Sequence, residues 1–135
     1  MDFDSAEVEI RDFFETAWAG ATSISWPDMD FTVPDGQTWV TFNCQENEGS
    51  QVSMGSPGNN RFRHFGTVIL QIFAVPGKAG NDARAKAQIA LNAFQGAQTT
   101  NDIVFFDAFA RQVGNDPNGY YQVNVTVSFY YDELT

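Results

Sequence analysis

Apolar residues near the start of the chain recur with the spacing of one helical face. Five of them follow one another at i, i+3, i+4, i+7 and i+8: Ile10, Phe13, Phe14, Ala17 and Trp18. Asp4 or Ser5 is predicted to cap this helix, because Asp4 and Glu7 have the spacing of a capping box. Gly20 is predicted to end the helix.

β-Branched and aromatic residues dominate the next part of the chain and predict strands. The run FGTVILQIFAV (65–75) is the best candidate for a central strand. Shorter strands are expected at 23–26 and at QTWVTFNC (37–44). The polar, glycine-rich stretch 46–60 predicts a loop, with at most a short strand around Val52.

A second helix is predicted from Asn81 or Asp82 to Gly96. Its apolar face is largely alanine and consists of Ala83, Ala87, Ala90, Leu91 and Phe94. Small side chains on that face allow the helix to approach a sheet closely.

The last third of the chain predicts three more strands. They lie at 103–106, at 108–113 and at 120–131, where apolar and polar residues alternate. The order of elements predicts an α+β fold in which two helices cover one face of a largely antiparallel sheet. The chain shows no repeat or linker, so residues 1–135 are expected to form a single domain.

Composition excludes several classes of protein. The single cysteine, Cys44, excludes an internal disulfide and a cysteine-rich zinc site, and the single histidine, His64, has no partner at metal-ligand spacing. No catalytic motif, metal site or cofactor site is found, so an enzyme is not expected. The chain shows no apolar stretch long enough to span a membrane, and its first residues are acidic, so we expect a soluble intracellular protein.

Charge is distributed unevenly along the sequence. The net charge is −10, and residues 1–48 contain eleven acids and one base. Five bases are concentrated in a later span: Arg61, Arg63, Lys78, Arg84 and Lys86. The acidic part is either a solvated surface that favours solubility or a surface that repels a polyanion or pairs with the basic span of another copy.

Two groups of residues are candidates for interactions. The first is the stretch Asn60, Arg61, Phe62, Arg63 and His64, where an aromatic residue lies between two arginines in a predicted loop. That composition is typical of a protein interface, although the phenylalanine of a surface loop can equally fold back onto its own domain. The second is a group of acids: Asp28, Asp30, Asp35, Glu46 and Glu48.

Several segments in order resemble a known family. They are ISWPDMDFTVPDGQTWVTF (24–42), SMGSPGNNRFRHFG (53–66) and LQIFAVPGKAG (70–80), followed by an alanine-rich helix that ends in Phe94. This order is similar to that of the tail terminator proteins of long-tailed bacteriophages of the lambda type. The resemblance covers about residues 6–96.

The resemblance implies a structural protein of the virion. It implies a hexameric ring at the head-proximal end of the tail, which binds the tail tube protein and stops tube polymerisation. It also implies a surface that joins a head-completion or connector protein, and a lumen through which DNA passes without specific binding. Assembly would take place in the host cytoplasm. The acids would then line the lumen or pair between subunits.

Two alternatives remain open from the sequence. One is a head-completion or connector ring, which would bind the portal side instead of the tube. The other is a monomeric or dimeric α+β protein that encloses a small apolar ligand, with Asp107 as a buried acid between apolar strands.

Overall fold

The computed structural model describes residues 1–77 and 79–134. Lys78 of the basic span lies outside the described residues. The elements follow in the order α1 (Phe3–Trp18), β1 (Ser23–Ser25), β2 (Trp39–Gln51), β3 (Arg61–Ala74), α2 (Asn81–Phe94), β4 (Val104–Asn115) and β5 (Tyr121–Leu134). The predicted α+β class is confirmed.

The strands form one sheet in the order β1-β2-β3-β5-β4. β1 runs parallel to β2, and the other three neighbouring pairs are antiparallel. β3 is a central strand, and both β3 and β5 are apolar at every second position. Their buried side chains face α1 and α2, so the core lies between the helices and one face of the sheet.

The two helix starts differ from prediction. The N-cap of α1 is Asp2, two residues before Asp4, and its carboxylate accepts a hydrogen bond from Ser5 N at 2.8 Å. Because the Asp2 carboxylate can satisfy a free N–H group of the first turn, the helix begins earlier than the predicted cap at Asp4 or Ser5 would allow. α2 has Gly80 as its N-cap with φ 77°. Both helices end just before the glycine predicted to stop them, α1 at Trp18 and α2 at Phe94, and Gly20 and Gly96 each have a positive φ.

The strands are longer than predicted. β2 continues past Cys44 to Gln51, and β3 begins at Arg61, so the predicted loop 46–60 shrinks to residues 52–60. Val52 and Met54 are exposed and form no strand. Backbone pairing does not require apolar side chains, so a hairpin continues through residues whose polarity resembles that of a loop.

The last strands also differ from prediction. The two predicted strands on either side of Asp107 are one strand, β4, with a bulge between Phe105 and Asp107. A bulge inserts an extra residue and breaks the apolar alternation without ending the strand, which explains the error.

Candidate functional site

The stretch from Asn60 to His64 lies at the far end of the β2–β3 hairpin. Asn60 closes the hairpin loop by accepting a hydrogen bond from Ser56 N at 3.1 Å. The prediction of an arginine loop was wrong in its local structure, because residues 61–64 begin strand β3. Alternation along the strand places Arg61 and Arg63 on the sheet face without helices, and Phe62 and His64 on the opposite face.

Arg63 is bound within its own chain. Its Nε and Nη2 donate hydrogen bonds of 2.9 and 3.1 Å to the two carboxylate oxygens of Asp132 on β5. Its guanidinium also lies 4.4 Å from the ring centroid of Tyr130. These hydrogen bonds hold the pKa of the Asp132 carboxyl below its ordinary value.

Arg61 remains accessible. Its side chain is 54% exposed, and its guanidinium forms an ion pair with Asp132 at 3.5 Å without a hydrogen bond. The structure therefore separates the two arginines that look equivalent in the sequence. Arg63 packs on β5, whereas Arg61 presents most of its side chain to solvent.

His64 lies between two carboxylates on the helix side of the sheet. Its Nε2 is 3.2 Å from Glu133, and its Nδ1 is 2.6 Å from Glu46 Oε1 without the alignment of a hydrogen bond. The imidazole stacks on Tyr131 at a centroid distance of 5.0 Å, and the Tyr131 hydroxyl donates a 3.0 Å hydrogen bond to Glu46. Burial and this hydrogen bond both raise the pKa of Tyr131.

The five predicted acids do not form one cluster. Asp28, Asp30 and Asp35 are exposed on the loop of residues 26–38, beside the start of β2. Glu46 and Glu48 lie at the other end of that strand. Trp39 lies opposite Phe73 and Glu48 lies opposite Phe65, eight positions away on β3, which corresponds to about 27 Å along a strand.

Glu46 and Glu48 also differ from each other. A β-bulge between them breaks the register of β2 against β3. Glu46 contacts His64 and Tyr131, whereas Glu48 is exposed and has no ion pair among the described residues.

The sequence did not reveal the partners of the hairpin end. Along the chain, Asp132 is 69 residues from Arg63, and Glu133 is 69 residues from His64. Tyr131 is 85 residues from Glu46. Only the β3–β5 register brings them together. Their sole sequence signal is the alternation of β5, which does not say which strand lies beside it.

Neither the Cys44 thiol nor the Asp107 carboxyl is placed to act as a reactive group. Burial raises the pKa of the Cys44 thiol to about 12, which makes it a poor nucleophile. Asp107 is exposed on the edge strand β4, so it is not the buried acid that a ligand-pocket protein would need. An open groove of about 760 Å³ lies elsewhere, between α1 and residues 98–100.

In residues 1–77 and 79–134, no group of histidine, cysteine and carboxylate side chains is arranged to hold a metal ion. Neither helix in this part of the chain is long and apolar enough to cross a membrane.

The described residues form an α+β domain with two helices on one face of the sheet and clusters of charged residues at both ends of β2. A family model described as "Phage tail terminator protein" matches residues 9–129. The chain therefore belongs to the phage tail terminator family, whose members are non-enzymatic structural proteins of the virion tail. The resemblance seen in the sequence is confirmed.

Solved structures share the fold at low sequence identity. One has a TM-score of 0.66 and 15% identity, and the match covers 96% of this chain and 95% of the other. Another belongs to the virion of a native gene transfer agent particle, with a TM-score of 0.54, 15% identity and 93% of each chain covered. No curated protein matches the sequence.

Proposed function

We propose that this chain caps the tail tube as a closed ring, stops its polymerisation and provides the surface to which the head is joined. Membership of the tail terminator family over residues 9–129 is the observation that carries this proposal. The ring is proposed to be a hexamer that assembles in the host cytoplasm. Its partners are the tail tube protein on one side and a head-completion or connector protein on the other.

DNA is proposed to pass through the lumen of the ring without specific binding. Asp28, Asp30 and Asp35 support this, because all three are exposed on one loop and have no ion pair among the described residues. Exposed carboxylates repel phosphate, which keeps the DNA backbone from adsorbing to the wall. We assign these three residues to the lumen.

The hairpin end is proposed as a contact surface for the tube or a neighbouring subunit. Arg61 supports this because its side chain is about half exposed at the end of the sheet, even though it pairs with Asp132, whereas Arg63 and His64 hold the local structure in place. Asn60 shapes the adjoining turn, and Phe62 is half-buried beside it. Glu46 acts with His64 as internal support, and Glu48 is an exposed acid on the same hairpin.

The mass of the chain in solution, alone and with tail tubes, tests the proposal. Light scattering is expected to show a ring-sized mass, either free or after addition of short tube assemblies, and electron microscopy is expected to show binding at one tube end. Assemblies of the head side are added in parallel. A chain that binds only these would be a connector ring, and a monomer that ignores both would overturn the proposal.

A further inference from the structure

Both outer edges of the sheet leave long stretches of backbone without a strand partner among the described residues. One is the outer side of β4 from Phe106 to Asn115, since Val104 forms a bridge with Gln98 and Phe105 N donates a hydrogen bond to Ala97 O at the start of the strand. The other lies on β2, because β1 pairs only with Trp39, Val40 and Thr41 and leaves residues 42–51 uncovered. Unpaired N–H and C=O groups of this kind are a template for strands of another chain.

β4 is poorly protected against such pairing. It contains no proline or lysine, and three of its large apolar side chains are about half exposed: Phe106 at 48%, Phe109 at 53% and Val113 at 53%. Bulges lie between Phe105 and Asp107 and between Gln112 and Gly114. They leave the regular stretch 107–112 between them for pairing.

The directions of the strands favour continuation of the sheet from copy to copy. β2, β3, β5 and β4 alternate in direction, so β2 and β4 run oppositely. When a second copy is placed beside the first with its strands in the same orientation, its β2 meets β4 of the first as an antiparallel neighbour. The antiparallel ladder is the slightly more stable one per residue.

We propose that β4 of one copy pairs with residues 42–51 of β2 in the next copy, so that one sheet continues around the assembly. This inference rests on the proposed ring. A contact between two different edges of identical copies is head-to-tail, and a series of such contacts stops at a fixed number of copies only when the last copy meets the first. The partner is therefore a second copy of this chain. Exposed charges agree with this pairing, since Arg111 lies on β4 and Glu48 on β2.

A two-fold contact between two β4 strands is the competing arrangement. It would cover the apolar β4 edges in a dimer but leave both β2 edges open. Head-to-tail pairing covers part of both edges of every copy, so it leaves less unpaired backbone as a template for further strands.

Cross-linking distinguishes these arrangements. A short bis-maleimide is added to the assembled chain carrying Glu48→Cys together with Arg111→Cys, and to each single variant as a control for Cys44. The double variant is expected to give a covalent ladder beyond the dimer, and the single variants are expected to stay uncross-linked. Dimers from Arg111→Cys alone would overturn the proposal in favour of the two-fold contact.

A second pair of variants tests the edge by mass. Phe109→Lys with Val113→Lys is expected to lower the fraction of chain in rings by at least about tenfold, because a lysine ammonium replaces apolar surface at the contact. Val8→Lys with Ile89→Lys on the helices makes the same charge change at exposed apolar positions and is expected to leave rings intact. Circular dichroism confirms folding of all variants.

The outcomes separate this inference from the proposed function. If the wild-type chain forms rings and the β4 lysine variant keeps them, the edge contact is overturned and the terminator function stands. The same conclusion follows if the double cysteine variant forms rings but gives no cross-linked ladder. A wild-type chain that forms no ring, alone or with tubes, would overturn both.

Discussion

Arg63 on β3 donates two hydrogen bonds, of 2.9 and 3.1 Å, to the carboxylate of Asp132 on β5, on the face of the sheet that the helices do not cover. The pair joins the start of β3 to the end of the last strand. It holds in place the hairpin end from which Arg61 projects.

Replacing Asp132 tests this pair through pH. The folded-state pKa of Asp132 is lowered, so its contribution to stability is complete above the unfolded pKa of about 3.9 and is lost as the pH falls through the folded value. Asp132→Asn is expected to lower the free energy of unfolding by about 1 kcal/mol at pH 7. Urea unfolding at several pH values is expected to show this difference shrinking below about pH 4. A difference that is unchanged at low pH would show that the carboxylate charge is not responsible.

Gly66 is expected to tolerate no side chain. A Cβ at this position would meet the Phe129 ring and lie 2.5 Å from the carbonyl oxygen of Gln45, a backbone atom that cannot move aside cheaply. Gly66→Ala is expected to destabilise the fold by about 1–3 kcal/mol, which is typical of overpacking. Thermal unfolding measures this effect. Gly58→Ala, which meets no atom but has a positive φ of 87°, is the control for backbone strain in a loop. Equal losses in both variants would contradict the packing argument.

Cys44 is expected to react slowly in the folded chain. A pKa of about 12 instead of 9.0 lowers the thiolate fraction at pH 8 by about a thousandfold. Labelling with a thiol reagent at pH 8 is expected to be slow in buffer and fast in denaturant. Rapid labelling in buffer, at a rate independent of denaturant, would show that the thiol is not buried.

Arg61 is expected to matter for assembly but not for folding. Arg61→Glu reverses the charge of a half-exposed side chain and removes its ion pair with Asp132, so the free energy of unfolding is expected to fall by no more than about 1 kcal/mol while binding to tube ends weakens. Arg11→Glu on α1 makes the same change away from the hairpin and is the control. Tube-end binding scored by electron microscopy measures both. Full binding by Arg61→Glu would remove this residue from the contact surface.

The three loop acids are expected to keep DNA from binding. Replacing Asp28, Asp30 and Asp35 together by asparagine is expected to create measurable, salt-dependent affinity for duplex DNA in the assembled ring. Asp4, Asp12 and Glu15 on α1 are replaced by their amides as a control with the same charge change. Fluorescence anisotropy at several salt concentrations distinguishes the two variants. Equal DNA affinity would show that total charge, not the loop, excludes DNA.

The boundaries of the strands show where sequence patterns end. The apolar repeat of α1 and the alternation of β5 were recognisable because each buries one face against the core. The distal half of β2 was not, because its residues are exposed on both sides and their order rests on backbone hydrogen bonds with β3. The bulge in β4 divided one strand into two apparent ones.

For the candidate site, too, the sequence predicted some of the residues but not their contacts. Arg61, His64 and Glu46 were singled out by residue type, but their surroundings were not foreseen. Arg63 is hydrogen-bonded to Asp132 of its own sheet, and Glu46 lies beside His64.

The sequence by itself determined the class of fold, the two helices, the apolar core positions and the family. These follow from local periodicity and from an order of segments that the chain carries whatever its partners. The tertiary structure alone decided which strands are neighbours, which charges pair and which edges of the sheet remain open. Those properties depend on which distant residues pair. Alternation along a strand specifies which of its faces is buried, but it does not say which other strand lies beside it.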